Sequence, residues 1–174
     1  MNDPLDFYHQ VWPTHSEYAK RWLNRFPQWD STEHDEDHLL NCIETWLEKA
    51  RELSDEKALM AELRLVRQRS MIEIMRRDLQ GKVDLFEVTE ALSFLADAAV
   101  QIALKFSHKM QAERFGEPAD GDCMMVVGMG KLGGLELNAS SDIDLIFLYN
   151  QDGETLGGPT SKTQSHAEFF TQVG

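Results

Sequence analysis

Apolar residues recur at intervals of three and four through most of the chain, which predicts helix after helix. Leu39, Leu40, Ile43, Trp46, Leu47, Ala50 and Leu53 mark one amphipathic helix, preceded by an acidic stretch over 30–38 that starts it. Ser54-Asp55 reads as a cap, and a second helix follows to about residue 79 on Leu59, Leu63, Val66, Ile74 and Met75, with Gly81 ending it. Asp84 with Glu87 has the spacing of a capping box. The helix it opens carries Leu85, Val88, Leu92, Leu95, Ala99, Ile102, Phe106 and Met110 and meets no breaker before Gly116 and Pro118, so it runs for about thirty residues. Residues 1–30 carry Trp12, Trp22, Phe26 and Trp29 among polar neighbours and read as irregular helix broken at Pro13 and Pro27.

The pattern changes after Pro118. Cys123–Val127 is a short apolar run of strand length, and Asp142–Tyr149 is a second. Between them Gly128–Asn138 is a glycine-rich turn with one or two turns of helix. Residues 150–164 read as a flexible loop, and His166, Phe169, Phe170 and Val173 as the beginning of another helix. The predicted fold is α+β: a helical region over 1–118, then the start of a mixed sheet over 119–174. Two strands do not make a stable sheet alone, so the chain is expected to be a fragment of a longer enzyme.

Charge narrows the partners. Of the 174 residues 30 are acidic and 17 are Lys or Arg, giving a net charge of -13. Bulk electrostatics therefore oppose a grip on a nucleic-acid backbone. Cys42 and Cys123 lie far apart and read as reduced thiols. No apolar run approaches the ~20 residues that span a bilayer, and the first residues lack a basic start followed by an apolar stretch. A soluble, cytoplasmic chain is expected, with neither nucleic acid nor membrane as partner.

Two chemistries compete for the stretch from Gly128 to Asp144. Gly128, Gly130 and Gly133 match the dinucleotide-binding fingerprint. That fingerprint needs a full crossover helix before the next strand, and only eight residues separate Gly133 from Asp142. A P-loop fits worse, because Leu132 follows Gly130-Lys131 where a hydroxyl should hold magnesium. The metal reading fits better. On a strand, Asp142 and Asp144 share a face with Cα atoms about 6.6–7 Å apart. Two such carboxylates beside a glycine turn suit Mg²⁺ and a nucleotide phosphate. Gly128, Gly130, Gly133 and Gly134 let backbone amides approach phosphate oxygens, Lys131 adds a mobile positive charge, and Ser140 and Ser141 can bond phosphate or cap the turn.

The stretch "GMGKLGGLELNASSDIDLIFLY" resembles the nucleotidyltransferase signature of the bifunctional glutamine synthetase adenylyltransferase/adenylyl-removing enzymes, within the DNA polymerase β-like superfamily. "LRLVRQRSMIEIMRRDLQGKVDLFEVTEALSFLADAAV" is similar to the helical segment of the same enzymes. The resemblance covers roughly residues 60–174 and is loose over 1–55. It implies a nucleotidyltransferase core with Asp142 and Asp144 as the catalytic, magnesium-binding pair and Gly133-Gly134 as the glycine pair beside them. It also implies glutamine synthetase, a PII-type signal protein, ATP or ADP and phosphate as partners. Such enzymes hold two domains in tandem: one removes AMP from a tyrosine of glutamine synthetase by phosphorolysis, giving ADP, and the other attaches AMP from ATP. The motif lies about 130 residues from Met1, and that placement together with the wording "ELNASSDID" resembles the adenylyl-removing domain. The superfamily uses a third carboxylate on a later strand. No convincing candidate precedes residue 174, since Asp152 and Glu154 fall in the loop. A docking domain without catalysis, and a nucleotidyltransferase for another small molecule, are the competing expectations.

Other charged features read as structure. His34 and His38 are four apart, but the glutamate between them is misplaced for a zinc protease, leaving an acidic helix start. Arg64, Arg67, Arg69, Arg76 and Arg77 read as a surface face paired with Glu62, Glu73 and Asp78. The competing reading of these arginines is a basic flank to the phosphate site. The tryptophans read as helical core.

Overall fold

The structure is a computed structural model, and it describes residues 12–13, 16–31, 37–119, 123–159 and 162–174. Its helices are α1 (Glu17–Arg25), α2 (Leu39–Glu52), α3 (Glu56–Leu79), α4 (Leu85–Phe115), α5 (Gly130–Gly133) and α6 (His166–Val173), with a 3-10 turn over Pro27–Trp29. Strands β1 (Met124–Gly128) and β2 (Leu145–Tyr149) complete it. The fold is α+β and mostly helical, as the periodicity predicts. No described helix is long and apolar enough to cross a membrane. Residues 1–11 of the predicted irregular helix, and 32–36 of the acidic stretch with His34, lie outside the described residues.

The chain forms two compact units, one of residues 1–95 with 135–141, the other of residues 96–134 with 142–174. In the first unit the cap chemistry sets the helix ends. Asp55 accepts from the Ala58 amide and opens α3, and Gly81, at φ +64°, takes the left-handed conformation that closes it. Asp84 and Glu87 bond each other's backbone amides at 2.9 and 2.8 Å, the reciprocal box that opens α4. On α2, Leu39, Ile43, Leu47 and Ala50 are buried, as their spacing predicts. Pro27 starts the 3-10 turn, so α1 ends just before it. Trp12, Tyr18, Trp22 and Trp29 are partly buried and pack against Ala19, Leu23 and Ile72, whereas Trp46 stands outside that cluster with Arg69 over its ring. Leu85 departs from expectation: it is exposed at the N-terminal end of α4, where Leu92 and Leu95 are buried.

The arginines of α3 also depart from expectation. Arg76 and Arg77 are buried rather than on a surface face. Buried Glu73 lies 2.7 Å from Arg76 and 2.6 Å from Arg77. Arg76 also donates to Gln80 Oε1, and Arg77 to the Asp37 carbonyl. A charge leaves water only when paired and hydrogen-bonded, and this cluster meets that condition. Arg69 lies over the Trp46 ring at 4.1 Å, whereas Arg64 and Arg67 are exposed.

In the second unit β1 and β2 pair antiparallel, with Met124 opposite Tyr149 and Gly128 opposite Leu145. Phe169, Phe170 and Val173 of α6 form its core with Leu104, Ala112 and Met124. Tyr149 stacks on Phe170 with centroids 5.5 Å apart. A capping box of Ser165 and Glu168 starts α6. The stretch read as a flexible loop is tied into the unit at Glu154 and Thr155. Thr155 bridges Pro118 and bonds the Phe115 carbonyl at 2.6 Å, and Glu154 bridges Ser165. Gly116 and Gly157 allow this contact, since a Cβ at Gly116 would lie 2.5 Å from the Gly157 carbonyl oxygen.

Candidate functional site: the glycine turn and the acidic pair

The hairpin register places the two halves of the motif at one end of the sheet. Gly128, the last residue of β1, faces Leu145, the first of β2. One step beyond that pair, the Met129 amide donates to the Asp144 carbonyl at 2.9 Å. The glycine turn therefore starts where the acids end, within the second unit. Helix α5 is a single short turn, closed by Gly134 N–H to the Gly130 carbonyl at 3.1 Å.

Only some of the glycines are demanded by geometry. Gly130 sits at φ +55° with open space where a side chain would go, so conformation alone requires glycine there. Gly133 is required by contact, because a Cβ would lie 2.6 Å from the Gly128 carbonyl oxygen. Gly134 serves as the C-cap of the turn. Lys131 is exposed beside them, and no ion pair among the described residues engages it.

Asp142 and Asp144 are both exposed. The predicted strand 142–149 begins three residues late, at Leu145. Beyond Gly128 the first strand turns away, so residues 142–143 find no ladder partner, and strand alternation does not set the directions of the two carboxylates. Neither carboxylate has a hydrogen bond or ion pair among the described residues.

Ser140 and Ser141 belong to the segment 135–141, which clusters with the first unit. The Ser140 hydroxyl and amide both donate to Asn138 Oδ1 at 3.0 Å, and the Asn138 amide donates to Ser141 Oγ at 3.0 Å. Of the two roles read for these serines, turn closure is the one the hydrogen bonds display. Asn138 is the residue that sequence reasoning missed. Its signal was present, since Asn with Ser two and three positions on is the spacing of a side-chain-closed turn.

The donor set suits a hard divalent cation. Two exposed carboxylates with no cationic partner among the described residues offer oxygen ligands, and magnesium is commonly held by one or two carboxylates completed by substrate phosphate and water. Among the described residues, no three His, Cys, Asp or Glu side chains come together as a metal cluster.

A model of the glutamate-ammonia ligase adenylyltransferase family matches residues 13–174. The chain is 47% identical over 123 residues to a bifunctional glutamine synthetase adenylyltransferase/adenylyl-removing enzyme of Burkholderia mallei, covering 68% of this chain and 13% of that protein. Proteins of the same name from Thioalkalivibrio sulfidiphilus and Pseudomonas aeruginosa are 45% and 44% identical, covering 69% and 70% of this chain. The match takes in only 12–13% of the length of these relatives. A family model that spans residues 13–174, nearly all of the sequence, places the chain in the glutamate-ammonia ligase adenylyltransferase family.

Proposed function

We propose that this chain carries the nucleotidyl-transfer motif of an adenylyl-removing domain, acting on the adenylyl-tyrosine of glutamine synthetase with phosphate to give ADP. The observation that supports this reading most is the hydrogen bond from the Met129 amide to the Asp144 carbonyl, which joins the glycine turn to the acids. The printed names of the relatives include both adenylyl transfer and adenylyl removal. The wording "ELNASSDID" supports removal.

In this proposal Asp142 and Asp144 would hold Mg²⁺. When bound, the ion would neutralise charge on the phosphate oxygens as the phosphorus changes partners. The chain's own contribution is positional. The amides of Met129, Gly133 and Gly134 already bond backbone carbonyls, so the donors to phosphate oxygens would come from the other amides of the turn, and the absence of side chains at the glycines would let those oxygens come close. Lys131 supplies a positive charge on a mobile stem. The tyrosine oxygen leaves as an inorganic phosphate oxygen bonds the AMP phosphorus in line; the tyrosine takes a proton and the product is ADP. No covalent enzyme intermediate is required.

The test uses the full-length protein with adenylylated glutamine synthetase, phosphate and magnesium, following ADP. Release of ADP that disappears in the Asp142→Asn, Asp144→Asn double variant supports the reading. Unchanged release in that variant refutes it. AMP incorporation from ATP into unmodified glutamine synthetase, lost in the same variant, would assign the adenylylating direction instead.

A further inference from the structure

Residues 129–134 form a turn of exposed groups with one exception. Leu132 is 4% exposed, whereas Met129, Gly130, Lys131, Gly133 and Gly134 are all exposed. Its side chain lies over the end of β1: a Cβ added at Gly128 would sit 2.9 Å from Leu132 Cγ and 3.0 Å from Cδ2. Gly133 closes on the same residue, at the Gly128 carbonyl. The backbone bonds of the turn are few and partly long, with Gly133 N–H to the Met129 carbonyl at 3.3 Å. Glycines add no packing of their own and bring more backbone freedom to be lost. Alongside the Met129–Asp144 hydrogen bond, one buried side chain pins this stretch to the sheet.

We propose that Leu132 is a positioning residue of the site: by packing on Gly128 it fixes the turn, the Met129–Asp144 link and Lys131 in one arrangement before phosphate arrives. The inference rests on the nucleotidyl-transfer reading above and names the residue that preorganises its phosphate side. A turn held in its bound arrangement loses less freedom on binding, so the benefit falls on phosphate affinity more than on the chemical step. Gly128 then has a second role, because only a residue without a side chain leaves room for the leucine.

The experiment compares Leu132→Ala, Leu132→Val and Leu132→Met with the parent full-length protein. Hydrogen exchange at the Met129 amide reads the turn directly, and ADP release at varied phosphate separates KM from kcat. In Leu132→Ala the Met129 amide is expected to exchange at least about tenfold faster, and the phosphate KM to rise about tenfold with kcat changed far less. Leu132→Met, similar in volume, is expected to restore both to within about twofold. Leu132→Val should fall between, and the pair Leu132→Val and Leu132→Met carries the test if the alanine variant does not fold. Unchanged Met129 exchange in the truncated variants overturns the proposal, as does a fall in kcat with unchanged phosphate KM, or equal damage from methionine. If the parent protein releases no ADP, the transfer reading fails. If it does and these variants match it, the positioning role alone fails.

Discussion

Two groups of charged residues, one in each unit, look alike as letters and differ in the fold. Glu73, Arg76 and Arg77 are buried and bonded to one another, with Gln80 and the Asp37 carbonyl taking further hydrogens. Asp142 and Asp144 are exposed, with no described side chain to neutralise them. In the first group the opposite charges are already in place, so it serves structure. In the second the charges of one sign are left for something else to complete. A pair of carboxylates is informative about function when the fold withholds its counter-charge.

That contrast can be broken, and the largest effect belongs to the buried group. Glu73→Ala leaves two buried guanidinium groups without their carboxylate, and is expected to destabilise the protein by about 3–5 kcal/mol. Denaturant unfolding measures it, and a loss below about 1 kcal/mol would show that this cluster is as dispensable as a surface pair. The acidic pair should behave in the opposite way. Asp142→Asn with Asp144→Asn is expected to lower ADP release by at least about a hundredfold while leaving the unfolding midpoint nearly unchanged, because exposed groups away from a network rarely matter for stability. An equal loss of stability in this variant would erase the distinction between the two groups.

Smaller effects sharpen it. Ser165→Ala removes the hydroxyl that bonds the Glu168 amide and opens α6, the helix that supplies Phe169 and Phe170 to the second core. A loss of about 1 kcal/mol is expected, read by denaturation. Arg69→Gln removes the guanidinium from the Trp46 face, and about 0.5–1 kcal/mol is expected for that stacking. Were it to cost as much as Glu73→Ala, the Arg69 guanidinium would matter as much as those of the buried cluster.

The long helices were legible because local chemistry writes them. Asp55, Gly81, Asp84 with Glu87 and Gly116 are caps and breaks whose effect reaches only a few residues, and each stands where its spacing predicts. The glycine turn was legible for the same reason. Strand ends were less so. An apolar run at Leu145–Tyr149 drew the reading back to Asp142, but ladder partners decide where a strand begins, and those lie on another segment. The bridges at Glu154 and Thr155 were hidden too, since glycine and polar residues look alike in a mobile loop and in one that packs against Pro118 and Phe115.

By itself the sequence determined the helix pattern, the turn and the identity of the acids, because capping, periodicity and glycine's freedom act over neighbouring residues. Only the tertiary structure decided which charges are spent. Whether an arginine on α3 is buried against Glu73 or exposed to water depends on what other elements bring to it, and that information is not carried by any single stretch of the chain.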